Sequence, residues 1–206
     1  SANDRGAQQA ALSARKAFAK SLALDAQHYL ALAGLGETYI FDPASPLDEG
    51  IAALETALRN LPTRMDVALN LLSLYAHHGD SLKTHTLLNN VIKRRADAAT
   101  VSRAEELLLT IELQKADQML QDGRNREAAR ILAALLPKAQ NTVQQKQIRD
   151  MQEIAEKNIE AEAYNRAMLY ANMGKLGEAQ ELLQQVVASA ADSTLVAAAH
   201  RALDGV

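Results

Sequence analysis

The chain has 206 residues, 48% of them hydrophobic and only 3% aromatic, with a net charge of −3 and no Cys. That length can bury a sizeable core, the charge balance excludes a phosphate-tracking nucleic-acid surface, and the absence of Cys excludes disulfides and thiolate catalysis. Ala (40) and Leu (31) dominate while Gly (9) and Pro (4) are scarce, which points to an all-α chain.

In chain order, a first helix is predicted over 7–24, with the small Ala14 and the bulky Phe18. A second covers 27–41 and carries Leu35-Gly36 and Tyr39. Ser45-Pro46-Leu-Asp48 reads as a cap, a Pro at the first helical position and an early acid, opening a helix over 46–60. Thr63-Arg-Met-Asp66 reads as a capping-box variant before 64–78. Asp80 is the expected cap of 81–95, which ends in Lys93-Arg94-Arg95, cations suited to a helix C-terminus. A long helix over 98–121 keeps Val101, Ala104, Leu108 and Ile111 on one face. Asn125 is the expected cap of 125–139, and Thr142-Val-Gln-Gln145 that of 142–173, where Ile148, Met151, Ala155 and Ile159 share a stripe. Helices over 176–190 and 193–203, the latter capped by Ser193, complete the prediction. No apolar run approaches the roughly 18 residues of a membrane span.

Pairs of these helices repeat a theme. Ala14 to Asp25 leads into Tyr29 to Tyr39, and Ile51 to Pro62 leads into Met65 to Tyr75. Tyr170-Ala-Asn-Met-Gly174 is followed by Glu178-Ala179, Leu183, Val186 and Val187. Ala26, Pro62 and Ala96 fall 36 and 34 residues apart, and the loop Asp42-Pro-Ala-Ser-Pro46 accounts for the two-residue excess. Gly79, Gly123 and Gly174 mark turns spaced more widely, at 44 and 51 residues. Leu35-Gly36…Tyr39 and Ala57…Pro62 resemble the tetratricopeptide repeat, whose period is about 34 residues. Departures are Thr84 in place of a small Ala, Ala26 and Ala96 in place of Pro, and the absence of Trp. The resemblance implies an all-α, right-handed α-solenoid of about four or five antiparallel helix hairpins, one domain over 1–206.

The resemblance also implies a binding groove lined by the first helix of each pair. Its positions here are Ala33, Glu37, Asn70, Ser73, His77, Gln114, Asp117, Asn165, Met168 and Asn172. Their amides suit hydrogen bonds to an extended peptide. The carboxylate clamp of the chaperone-binding members is missing: Ala33, Glu37, Thr110 and Gln114 stand where Lys, Asn or Arg would be needed. The expected function is therefore a non-catalytic scaffold for a protein or peptide partner, with no cofactor and no metal. Alternatives are the C-terminal repeat module of a larger bacterial enzyme, such as a protease-like protein, or an oligomerisation module. Ala14 to Asp25 reads as a second helix without a full first partner, so the chain is expected to be part of a longer protein. The lack of Cys suits an oxidising space such as the bacterial periplasm without resolving the compartment.

No catalytic constellation emerges. His77-His78 is the one histidine cluster, and helix neighbours point about 100° apart, so the pair is ill-suited to one metal. Gly34-x-Gly36 lies within a predicted helix and matches the small positions of the repeat. Glu105-Glu106 and Asp48-Glu49 read as solvated faces. The helices over 98–121 and 142–173 exceed the repeat length. Val101, Leu108, Ile148, Met151 and Ile159 are therefore expected to form a lobe, covered within the chain or by a second copy of it.

Overall fold

Every regular segment of the computed structural model is helical, and no strand occurs among the described residues, 2–42 and 45–205. Pro43 and Ala44 lie outside them, so the loop expected to absorb two extra residues is only partly described. In order come α1 (Ala2–Leu24), α2 (Tyr29–Glu37), α3 (Asp48–Asn60), α4 (Met65–His78) and α5 (Ser81–Leu87). The last continues through a π-helical turn at Leu88–Ile92 into α6 (Lys93–Arg95). Then follow α7 (Ala98–Gln121), α8 (Asn125–Leu135), α9 (Thr142–Asn172), α10 (Leu176–Ser189) and α11 (Ser193–Asp204). These bounds track the predicted ones closely. One difference is α8, which tightens into a 3-10 turn at Leu136–Lys138 instead of continuing. Pro137 causes this, because it has no N–H to donate into the helix.

The chain forms two compact units, residues 1–111 and 112–206, the boundary falling inside α7. In the first, Leu54, Leu72 and Ile92 are fully buried, each worth roughly 1.5–3 kcal/mol of transfer free energy. Gly36 allows α2 and α3 to approach closely, since a Cβ there would lie 2.4 Å from Leu54 Cγ and 2.9 Å from the Gly50 carbonyl oxygen. Val101 and Leu108 pack on this core, and Ala104 is buried in it, so the first half of α7 completes the first unit. Val101 and Leu108, assigned by the length of the helix to a separate lobe, thus lie against the core of the first unit. In the second unit Ile148, Ala155, Ala167 and Leu183 are fully buried, while Met151 and Ile159 are half-buried.

Three interhelix turns share one construction. Gly79, Gly123 and Gly174 have φ of 85°, 75° and 73°, in the left-handed region that favours glycine. In each, the N–H of the next residue reaches back five positions: Asp80 to the Tyr75 carbonyl (3.0 Å), Arg124 to Met119 (2.8 Å) and Lys175 to Tyr170 (2.9 Å). The chain thus closes one helix and opens the next within two or three residues, a tight connection between successive helices.

Asp80 caps α5 as expected, its side chain accepting from Lys83 N–H. Other caps are shifted. The cap position of α3 is Leu47, with no side-chain bond, because Ser45 Oγ is engaged by Asp42 and Arg15. Arg64 occupies that position for α4 and binds Asp66 instead of the backbone. Asn141, not Thr142, caps α9; it accepts from Gln144 N–H while Gln144 Oε1 accepts from Gln140 N–H. Asp192, not Ser193, caps α11. Asn125 is not a cap: the glycine turn puts Arg124 in that place and draws Asn125 into the helix.

Candidate functional site

The polar positions expected to line a groove divide between the units. Glu37, Asn70, Ser73 and His77 are in the first, and Gln114, Asp117, Asn165, Met168 and Asn172 in the second. Ser73 is only 3% exposed and cannot present its hydroxyl to a partner. Asn70 and Met168 are half-buried, and the other positions are exposed. Asp117 already accepts from Gln121 Nε2 at 2.7 Å. Asn165, Met168 and Asn172 share one face of α9 by their spacing of three and four residues.

The first unit carries a more built surface on a different side of α4. Leu71 and Tyr75 of α4 form its floor, with Leu58 of α3, Leu87 of α5 and Val91 of the π-helical turn. The open groove above them has a volume of about 620 Å³. Sequence explains the floor. Leu87 and Val91 are four residues apart and so project the same way, and Leu58 lies one turn past the buried Leu54. Leu82 stands at the lip, 79% exposed. A π-helical turn is an uncommon element, frequent at functional sites; here it supplies a groove-lining side chain.

Charge surrounds the apolar floor. Glu55 accepts from Tyr75 Oη at 2.7 Å and from Lys83 Nζ at 3.1 Å. The tyrosine hydrogen bond, aided by the lysine, holds the Glu55 carboxyl below the usual range. Burial, and then the bond to Glu55, drives the Tyr75 hydroxyl well above its ordinary value. Lys83 also lies 5.2 Å from the Tyr75 ring centroid. Glu55 is thus committed to its neighbours. Arg59 and Arg95 line the same groove, are exposed, and make no hydrogen bond or ion pair among the described residues.

Two further polar clusters are internal braces. Arg15 joins α1 to the end of α2 and the loop after it, through Thr38, Asp42 and Ser45. Asn125 is 5% exposed; its Nδ2 donates to Glu162 Oε1 at 2.6 Å and its Oδ1 accepts from Asn158 at 2.9 Å. His78 Nε2 lies 3.4 Å from Asp48. Among the described residues no three His, Cys, Asp or Glu side chains come together as a metal site, and no helix is long and apolar enough to cross a membrane.

The groove was not legible in the sequence, because its residues come from separate helices, the floor reading singly as core and the rim as ordinary surface. The exposed Leu82, Arg59 and Arg95 become informative only once they line one groove. Comparison with family models, with curated proteins and with solved structures yields no match.

Proposed function

We propose that the chain is a non-catalytic scaffold of tetratricopeptide type, a right-handed α-solenoid of helix hairpins, that binds a protein or peptide partner. The observation that carries this reading is the groove over Leu71 and Tyr75, apolar at its floor and bordered by the exposed cations Arg59 and Arg95. Single exposed leucines are ordinary on a surface, whereas an apolar trough rimmed by charge suits a binding partner. The thrice-repeated glycine turn supports the repeat part of the reading. Fold alone would not assign function.

Selection of displayed random peptides on the immobilised full chain tests it. Binders should emerge that lose affinity for a Leu82→Asp, Arg95→Glu variant of intact helicity. Binders that ignore this variant but fail on Asn70→Ala with Asn165→Ala would move the site to the polar positions. If no peptide is enriched, the scaffold reading falls.

One observation favours self-association as a second reading. Val143, Ile154, Leu169 and Met173 are exposed along or just beyond α9. Sedimentation at several concentrations decides it: a single monomeric species excludes this reading.

A further inference from the structure

We propose that the occupant of the first unit's groove is an amphipathic α-helix with acidic residues flanking its apolar face. This rests on the scaffold reading and deepens it.

The walls argue for a helix. They are themselves helices, whose interior backbone N–H and C=O groups are spent on their own ladders. An extended peptide laid over Leu71, Leu87 and Val91 would bury backbone polar groups without partners, which is costly. A helix brings its backbone already satisfied and needs only an apolar stripe, the helix-in-groove mode. The dimensions agree. The lining residues of the 81–95 segment run from Leu82 to Arg95, about 20 Å at 1.5 Å per residue, the length of a helix of roughly four turns.

The rim argues for acid. Arg59, Lys83 and Arg95 border the groove against a single carboxylate, Glu55, which Tyr75 and Lys83 already hold. This wall is positive although the chain as a whole carries −3. Lys83 and Arg95 stand about 18 Å apart along their helix, near its two ends, with Arg59 on the facing helix. Carboxylates on a docked helix would find cations along its length. A basic helix would bring like charge against them, and such juxtaposition discriminates against wrong partners.

The test uses three fluorescein-labelled 16-residue peptides with Leu at positions spaced 3, 4 and 4. The flanking positions carry Glu in one, Gln in the second and Lys in the third. Fluorescence anisotropy against the full chain at low salt should rank Glu over Gln over Lys, with at least a tenfold gap between the first and last. The Arg59→Glu, Arg95→Glu double variant should lose at least tenfold for the Glu peptide and gain for the Lys peptide. Both positions are exposed, and circular dichroism checks that the variant folds. A central Pro in the Glu peptide should abolish binding, because it breaks the helix. Equal or tighter binding of the Gln or Lys peptide, a Glu affinity untouched by the double variant, a Pro peptide that still binds, or no binding at all overturns the inference. Groove-dependent peptides of non-acidic or extended character from the displayed selection would overturn it while leaving the scaffold reading standing.

Discussion

The guanidinium of Arg15 lies over the ring of Tyr39, 3.7 Å from its centroid, with both side chains largely enclosed. From there Arg15 donates to Thr38 Oγ1 at 3.0 Å, Asp42 Oδ2 at 3.1 Å and Ser45 Oγ at 2.9 Å. One side chain from α1 therefore ties three residues around the end of α2. Arg15→Ala would leave the Asp42 carboxylate, 12% exposed, without its cation. Its cost should be about 2–3 kcal/mol by urea denaturation, below the range for a fully buried pair. Arg15→Lys should restore little, because an ammonium cannot fork to three acceptors and stack at once.

Alkaline titration offers a separate check. Burial, and then the bond to Glu49, pushes the Tyr39 hydroxyl up to about 12, and Tyr75 moves the same way. The folded values exceed the unfolded value of about 10, so folding favours the protonated phenols. Their stabilisation is complete below about pH 10 and is lost as pH rises through the folded values. Denaturation midpoints should fall between about pH 10 and 12. In phenolate absorbance, two of the five tyrosines should ionise late, in step with unfolding.

Gly34 and Gly36 should respond differently to Ala. At Gly36 the added Cβ meets Leu54 Cγ and the Gly50 carbonyl, neither of which can retreat, and the cost should be about 2–3 kcal/mol. At Gly34 it meets the far end of the Phe18 ring, which is half-buried and can turn aside. The helix-propensity gain of Ala offsets part of that disturbance, so the change should stay under about 1 kcal/mol. Paired thermal melts distinguish them.

For Asn125 the discriminating substitution is Asp. A cap residue tolerates that exchange. A buried amide that donates to Glu162 does not, since the new carboxylate would face another. Asn125→Asp should destabilise by at least about 1–2 kcal/mol, and Asn125→Leu by about 2–3 kcal/mol through the stranded Glu162 and Asn158. A neutral Asp variant would return Asn125 to the role of cap.

Helix positions were legible because Gly79, Gly123 and Gly174 mark turns and an apolar residue recurs about every helical turn between them. Cap identities were less so. A shift of one residue decides whether a Thr, Asn or Ser side chain reaches the backbone, and at Ser45 and Asn125 tertiary partners took the side chain instead. The polar groove positions were placed by register alone, which cannot foresee that Ser73 is covered by its neighbours. The π-helical turn leaves no periodic trace in five residues, and with it the setting of Val91 was hidden.

The three turn glycines are spared steric crowding: a Cβ at Gly79, Gly123 or Gly174 would meet no heavy atom within 4 Å. Only handedness forbids a side chain there. An L-residue is strained at these φ values, whereas its mirror image prefers them. By their φ values alone, inverted chirality is the expected match at these three points. D-Ala introduced by chemical ligation would restrict the unfolded chain while keeping the same turn, and each such replacement should raise stability by about 0.4–1 kcal/mol.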